Sequence, residues 1–474
     1  MSGTEHNVKV TLREKIGYGL GDVGNNFLFD MGQIYLLKFY TDALGLPAAI
    51  AGLVFLVTKV WDGFSDMAVG TWVEGRTKFG KRGKFRPFML YAAAPLALMT
   101  VVSFTTPNFE LNGRIIWAFA TYMAFGTVYS IFNIPYGSMI PAMTKDPIER
   151  SDLASFRWAG ANTGLLFTTV GFMPIVLAFK SIQTGYIVAA AVFAVAGMGL
   201  QLASYANIRE HHVPEQPPKR EKGDMKANYR SLLRNPPLLV LCLVNLFTFS
   251  AFNVKLAVQV YFSQYALHDI SIVPYMGFFS IGCVFLGVAM VPMLVRRFGK
   301  KNVYILGAVI WAAADLIAWF VVKGPVTFIV FACLAFFGSS FINTLNWALV
   351  SDAVEYGEWK TGRRAEGLVY STFIFSRKLS QALAGFVPGV VLAVVGYVAN
   401  AEQTPRAIEG IKGLMFLYPG GLAVATFIAM FFLYKLTDER YTEIVTQLNQ
   451  RKAGSATPAE GELSGVIAFE ENEY

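Results

Sequence analysis

The chain has 474 residues, of which 54% are hydrophobic, 15% aromatic and only 15% charged, and its formal net charge is +8. This composition excludes a soluble globular domain of ordinary make-up. Most Lys and Arg residues fall in alternate gaps between apolar stretches, which is the positive-inside pattern of a polytopic membrane protein. We therefore expect the basic loops to face anionic membrane lipid, and we expect no nucleic-acid partner.

Twelve apolar runs are long enough to cross a bilayer of about 30 Å. Several are longer than a perpendicular span requires, which indicates tilt or extension beyond the bilayer. The sequence therefore predicts an all-α membrane protein with two pseudo-symmetric six-helix bundles. The predicted spans are residues 17–41, 48–74, 88–106, 114–142, 155–179, 184–206, 237–266, 271–295, 303–322, 325–353, 368–398 and 411–434.

The polar segment between the sixth and seventh spans separates the two bundles. Similar basic turns join helices two and three (80–87) and helices eight and nine (296–302), which indicates a duplicated fold. No cleavable signal sequence begins the chain, so we expect both termini in the cytoplasm and the protein in the inner membrane. The predicted divisions are the N-terminus 1–16, the first bundle 17–206, the linker 207–236, the second bundle 237–434 and the tail 435–474.

Helix one carries a polar stripe. Asp22, Asn26, Asp30 and Gln33 lie on one face of an α-helix. Such a stripe is costly when it faces lipid, so we expect it to line a cavity, with hydrogen bonding between helices as the alternative. Asp22 lies near the cytoplasmic end, where a structural role is also open.

Helix two carries two aspartates one turn apart, Asp62 and Asp66, and a lysine just before them, Lys59. In a low dielectric both carboxylates stay ionised only with a bound cation or a basic neighbour. They are therefore a candidate coupling site for H⁺ or for Na⁺, which prefers oxygen ligands. The alternative is a salt bridge from Lys59 and a carboxylate at a helix end.

Helices four and five add polar groups to the predicted centre. In helix four, Tyr129, Ser130 and Asn133 precede Pro135, which removes a backbone hydrogen bond and can free a carbonyl group for a ligand. Arg157 begins helix five and cannot lose its proton, so it requires an anionic partner. A carboxylate of helix two or an anionic substrate could fill that role.

The second bundle supplies further cations and a candidate sugar-binding surface. Lys255 lies in helix seven, and Lys378 follows Arg377 in helix eleven. For Lys255 and Lys378, interhelical ion pairs are the alternative to a binding role. In helix ten, Asn343, Asn346 and Trp347 offer amides and an aromatic face, which suit sugar recognition.

Charged residues near the cytoplasmic ends of the helices form a candidate gate. Arg86 and Arg296 belong to the two similar basic turns, and Asp22, Asp352 and Glu355 lie near the same side. Ion pairs between these two groups would close the cytoplasmic side, and breaking them would open it.

Five motifs in both halves carry a family resemblance. The chain resembles the glycoside-pentoside-hexuronide:cation symporter family of the major facilitator superfamily, and it is more similar to the glucuronide and sulfosugar carriers of that family than to its melibiose carrier. The motifs are Tyr18–Asp22, Trp61 and Asp62 with Asp66, Gly83–Pro87, Asn133–Gly137 and Asp352–Glu358.

The resemblance implies roles for individual residues. Asp62 and Asp66 match the cation-binding carboxylates of the melibiose carrier. At two neighbouring positions this chain differs: it has Ser130 where that carrier has a threonine, and Asn133 where that carrier has a third aspartate. The lost carboxylate makes proton coupling at least as well supported as Na⁺ coupling. Asn26 stands where that carrier has a sugar-binding aspartate. Replacing this carboxylate by an amide removes repulsion towards an anionic ligand, while basic residues supply attraction.

We therefore predict a symporter of an anionic sugar derivative, such as a hexuronide or a sulfonated sugar, with no cofactor beyond the coupling ion. Alternatives are a cation-independent facilitator, or an exporter of a neutral glycoside or small organic anion. The sequence has no evident catalytic group, so we expect no enzyme. We expect a monomer, and no small-xxx-small pattern stands out above the high glycine content to determine the oligomeric state. The predicted coupling residues are Asp62, Asp66, Ser130, Asn133 and Lys378, and the predicted substrate residues are Asn26, Asp30, Gln33, Tyr129, Arg157, Lys255, Asn343, Trp347 and Lys378.

Overall fold

The computed structural model describes residues 9–75, 82–144, 146–212, 232–362 and 366–455. Its long elements are helices. The first half of the chain contains α1 (Leu12–Lys38), α2 (Ala48–Glu74), α3 (Arg86–Ser103), α4 (Leu111–Gly137), α5 (Pro147–Leu177) and α6 (Ile182–Asn207). The second half contains α7 (Pro236–Tyr261), α8 (Ile272–Phe298), α9 (Lys300–Val321), α10 (Pro325–Thr361), α11 (Glu366–Val394) and α12 (Pro405–Leu433), followed by α13 (Asp438–Ser455).

Ten helices in the described ranges are apolar and long enough to cross a membrane. The other two long helices of the bundles are α1 and α11, which carry many of the polar and charged residues predicted to lie inside the membrane. The two halves also share a local feature: π-helical turns over Phe39–Ala43 and Phe262–Ala266 extend α1 and α7. The all-α fold predicted from hydropathy is confirmed.

Several helices extend beyond the predicted apolar spans. Helix α5 begins at Pro147 rather than at residue 155, and α10 continues to Thr361 rather than to residue 353. These extensions are polar, because a helix that leaves the hydrocarbon region can expose charged side chains to water. Helix α4 continues through Pro135 to Gly137.

The predicted linker and tail are described only in part, since residues 213–231 and 456–474 lie outside the described ranges. The first part of the tail forms α13. Its Ile444 side chain is fully buried, and the Asp438 carboxylate accepts a hydrogen bond from the Lys300 backbone N–H at 2.8 Å. This part of the tail is therefore packed against the second bundle.

The two halves meet along three helix pairs: α1 with α7, α2 with α11, and α5 with α8. We call the side on which α1 passes into α2 the far side, and the side on which α1 begins the terminus side. Helices α2 and α11 approach each other closely near the far side. A Cβ atom at Gly389 would lie 2.6 Å from both the Ala48 carbonyl oxygen and the Gly52 Cα. Only glycine fits this contact.

Candidate functional site

The first carboxylate of the acidic pair on α2 belongs to Asp62. Its Oδ2 atom lies 3.1 Å from Lys59 Nζ. Its Oδ1 atom is buried without a hydrogen-bond partner among the described residues. This oxygen faces α4 at Gly126, where a Cβ atom would overlap it. Asp62 therefore faces the protein interior, with one oxygen paired and one available.

The second carboxylate, Asp66, joins the two bundles near the middle of the helices. It accepts a hydrogen bond from the Ser130 hydroxyl on α4 and forms an ion pair with Lys378 Nζ on α11. The side chains of Asp66 and Lys378 each keep 28% of their surface exposed. The pair therefore joins α2 to α11 and remains partly exposed.

Arg157 is paired with Asp22 of α1, and not with a carboxylate of α2. Its Nε atom lies 2.9 Å from Asp22 Oδ2, its Nη2 atom lies 3.3 Å from Asp22 Oδ1, and the Tyr136 hydroxyl donates to the same carboxylate at 2.7 Å. The Arg157 side chain is 29% exposed. This three-helix cluster neutralises Arg157 and leaves part of its guanidinium group accessible.

The remaining stripe residues of α1 have different partners. The Asn26 amide donates to the Asp22 backbone carbonyl at 2.8 Å, and the Gln33 amide donates to the Tyr122 hydroxyl at 3.2 Å. Asp30 is buried, and its Oδ2 atom has no partner among the described residues.

Asn25 is a polar residue of this region that the sequence analysis did not identify. Its Nδ2 atom donates to the Tyr129 hydroxyl at 3.1 Å and to Asn133 Oδ1 at 3.3 Å. It therefore connects α1 to α4 beside the polar stripe. An asparagine next to Asn26 was the only available signal, because helical spacing places Asn25 off the stripe.

In the second bundle, Lys255 lies in a buried ion pair with Asp315 of α9. Trp311 Nε1 donates to the other carboxylate oxygen at 2.8 Å, and both charged residues are at most 1% exposed. This is the interhelical pair that was the alternative for Lys255. The structure does not bring Lys255 into contact with Asp62, Asp66 or Arg157.

The candidate sugar-binding residues of α10 are arranged around an exposed tryptophan. Trp347 is 42% exposed and stacks near Tyr370, with ring centroids 6.3 Å apart. Asn343 is partly buried. Asn346 is buried, and its Oδ1 atom accepts a hydrogen bond from the Tyr304 hydroxyl at 3.0 Å. Asn346 is therefore occupied inside its own bundle.

The five predicted gating residues do not form the predicted pairs with one another. Arg86 Nη2 donates to the Tyr205 carbonyl at 2.9 Å, while Arg296 is exposed at the end of α8. Asp352 forms an ion pair with Lys300. Asp22 is paired with Arg157, as described above. Glu355 Oε2 is buried without a hydrogen bond in the described ranges. Each of these contacts stays within one half, because each basic turn lies closest to the helices of its own bundle.

The far side is joined by a cluster that crosses between the halves. Lys38 Nζ lies 2.7 Å from Asp42 Oδ2, and this carboxylate accepts hydrogen bonds from the hydroxyls of Tyr265 at 2.8 Å and Tyr397 at 2.6 Å. The Asn400 amide donates to the Asp42 backbone carbonyl at 2.7 Å. The sequence analysis did not identify Asp42, although its spacing from Lys38 is that of a helical ion pair.

The arrangement therefore has three levels. The halves are bonded to each other on the far side through Asp42 and at mid-length through Asp66, whereas the predicted terminus-side residues bond within their own halves. The carboxylate and ammonium side chains of the mid-length pair are partly exposed. The described residues contain no group of three or more His, Cys, Asp or Glu that could hold a metal ion.

Comparison with known proteins places this arrangement among transporters. Residues 17–438 match the family model described as MFS/sugar transport protein. A proposed 2,3-dihydroxypropane-1-sulfonate exporter of Salmonella typhimurium (strain LT2) is 48% identical over 95% of this chain and 99% of its own length. A proposed sulfoquinovose importer of Escherichia coli (strain K12) is 47% identical over 95% and 97%. A glucuronide carrier protein homolog of the same strain is 36% identical over 94% and 97%.

Solved structures agree on the fold. A point mutant of the nucleoside transporter NupG superposes with a TM-score of 0.62 at 14% identity, over 89% of this chain and 99% of that one. A point mutant of the peptide transporter POT gives a TM-score of 0.64 at 12% identity, over 91% and 95%.

Proposed function

Because the chain belongs to the MFS/sugar transport protein family, we propose that it is a secondary active symporter that moves an anionic sugar derivative together with H⁺ or Na⁺ by alternating access. Family membership confirms the resemblance stated from the motifs. It also establishes a multi-pass membrane transporter of sugar derivatives, and not an enzyme. The finer proposal concerns the charge of the substrate, the coupling ion and the mechanism.

The contact between Asp66 and Lys378 carries the proposal of coupling. It is an ion pair between the two bundles, and the Ser130 hydroxyl bonds the same carboxylate. A proton or Na⁺ that binds Asp66 competes with Lys378 for the carboxylate. Cation binding therefore changes the interaction between the bundles and releases a lysine towards the substrate. Coupling then arises because the cation has a different affinity for each conformation.

An anionic substrate is supported by the chemistry at the centre and by the relatives. Asn26 is uncharged, and the accessible side chains nearby include Arg157 and Lys378. Two relatives are named for sulfonates and one for glucuronides. A hexuronide or a sulfonated sugar fits both observations, because cationic side chains bind either anionic group through charge-assisted hydrogen bonds.

Alternating access requires that the far-side contacts break in one conformation. The bonds of Asp42 to Tyr265 and Tyr397 hold the far side closed in this structure. The positive-inside pattern assigns the terminus side to the cytoplasm, with both chain termini, in an inner membrane. The conformation described is then closed towards the outside.

The test is uptake of sulfoquinovose, methyl glucuronide and methyl glucoside into vesicles that contain the purified protein. An imposed pH gradient and an imposed Na⁺ gradient are applied separately. We expect one gradient to drive accumulation of at least one anionic sugar, with little accumulation of the neutral glucoside. Equilibration without accumulation under both gradients would contradict symport and support a facilitator.

A second candidate is export of a small organic anion. It is favoured by the relative named for export of 2,3-dihydroxypropane-1-sulfonate. The same vesicles distinguish it, because an exporter of this kind would show exchange of that sulfonate in preference to the sugars.

A further inference from the structure

Six basic residues that interrupt the apolar stretches differ in how their charges are balanced: Lys38, Lys59, Arg157, Lys255, Arg377 and Lys378. Five of them have a carboxylate partner within ion-pair distance. The pairs are Lys38 with Asp42, Lys59 with Asp62, Arg157 with Asp22, Lys255 with Asp315, and Lys378 with Asp66. Within the described part of the chain, Arg377 has no ion pair and donates no hydrogen bond. The cationic residues that sequence reasoning assigned to the substrate, Arg157, Lys255 and Lys378, therefore each already have a carboxylate partner.

Arg377 is held between aromatic rings of its own bundle. Its guanidinium carbon lies 4.1 Å from the ring centroid of Phe249 on α7 and 5.7 Å from that of Trp347 on α10. Such contacts fix the plane of a guanidinium group but leave the N–H groups at its edge without acceptors. The ring contacts therefore orient Arg377 without satisfying it.

The position of Arg377 is suited to a ligand between the bundles. The side chain is only partly buried, so it keeps surface that a ligand could reach. It also directly precedes Lys378, which reaches Asp66. Arg377 thus adjoins the lysine of the coupling contact and keeps accessible surface.

An unpaired arginine in this setting has a clear chemical requirement. Arginine stays protonated, so it cannot lower the cost of its position by losing its charge. Its planar fork of donors matches the two oxygens of a carboxylate or a sulfonate, and such charge-assisted pairs are strong where water is scarce. A bound anion would supply the partner that the protein itself does not.

We propose that Arg377 binds the carboxylate or sulfonate group of the transported sugar and thereby sets the preference for anionic over neutral substrates. This inference rests on the proposed function and adds a residue that the sequence analysis left unassigned. In this scheme Trp347, which contacts both Arg377 and the accessible space, offers its ring to the sugar next to the bound anionic group. Lys378 serves coupling, and Arg157 is held by Asp22.

The test compares binding of sulfoquinovose, methyl glucuronide and methyl glucoside to the purified full-length protein and to Arg377→Gln. We expect Arg377→Gln to weaken binding of both anionic sugars by about ten- to a hundredfold, the range for loss of a hydrogen-bonded charged partner. Binding of methyl glucoside should be unchanged or stronger. Arg377→Lys, which keeps the charge and loses the fork, should be intermediate.

Arg297→Gln is the matched control, because Arg297 also lies over an aromatic ring, that of Phe298, at the exposed end of α8. It should leave all three affinities unchanged. An Arg377→Gln protein that binds the anionic sugars as tightly as wild type, or that loses anionic and neutral sugars equally, would overturn the assignment. A wild-type protein that prefers the neutral glucoside would instead overturn the proposed anionic substrate, and the assignment with it.

Discussion

Replacing Gly389 of α11 by alanine should open the far side of the transporter. In this conformation the new Cβ atom would lie 2.6 Å from the Ala48 carbonyl oxygen and the Gly52 Cα, and 2.8 Å from the Gly52 nitrogen. All three are backbone atoms of α2, so no side-chain rotation relieves the overlap. Carbon atoms in contact prefer about 3.5–4.0 Å, so α2 and α11 must separate by about 1 Å.

The expected size of the effect follows from this overlap. Overpacking of this kind costs about 1–3 kcal/mol. A conformation in which the far side is open does not carry the cost, because α2 and α11 are apart there. The population should therefore shift about 5–150-fold towards the open far side, the ratio that corresponds to that free energy. Gly70→Ala, on the partner helix α2, is the control, since its Cβ atom would meet nothing within 4 Å.

The assay is the distance between spin labels on two far-side loops, at Asn108 between α3 and α4 and at Lys323 between α9 and α10, measured by pulsed electron resonance. The native cysteines, Cys242, Cys283 and Cys333, are first replaced by serine. Gly389→Ala should add or enlarge a population at longer distance, while Gly70→Ala keeps the wild-type distribution. A folded Gly389→Ala protein with the wild-type distribution would refute the claim that this contact closes the far side.

Two further predictions concern ion pairs outside the coupling contact. Lys255→Ala should lower the free energy of unfolding by about 3–5 kcal/mol, because it leaves Asp315 buried without its partner. The double variant Lys255→Met with Asp315→Leu should restore stability and keep transport. Loss of transport with full stability in the double variant would instead favour a substrate role for Lys255. At the start of α1, before the spanning segment, burial alone would raise the pKa of Glu14, but hydrogen bonds from the Thr11 backbone and His211 outweigh it and lower that pKa. A carboxyl group whose pKa is lowered by folding stabilises the fold at pH values above its ordinary pKa, and this stabilisation is lost as the pH falls through the pKa of the folded state. Acidification from about pH 6 to about pH 3 should therefore lower the unfolding temperature of wild type more than that of Glu14→Gln.

Hydropathy predicted the fold because the membrane imposes it. A bilayer requires internally bonded helices of a minimum length, and most of the helices in this chain are apolar enough to be identified on that basis. The rule is weakest for α1 and α11, since these helices carry Asp22, Asp30, Arg377 and Lys378. The departures from a simple apolar pattern thus lie in two helices that pack against the other bundle.

The partners of the charged residues could not be predicted in the same way. Arg157 pairs with Asp22, which is 135 residues away in sequence, and Lys255 pairs with Asp315, which is 60 residues away. Such pairs depend on how helices rotate and pack, which helical spacing does not determine. For the same reason the sequence could not show that Arg377, unlike Lys378 beside it, has no carboxylate partner among the described residues.

Accumulation by Asp66→Asn tests the coupling mechanism most directly. Vesicles containing wild type or Asp66→Asn are given the gradient that drives wild-type uptake, and the internal concentration of the anionic sugar is followed to its plateau. We expect wild type to concentrate the sugar and Asp66→Asn to reach at most the external concentration, because the amide takes up no proton and has no negative charge to attract Na⁺ or to pair with Lys378. Wild-type accumulation by Asp66→Asn would contradict coupling through this carboxylate.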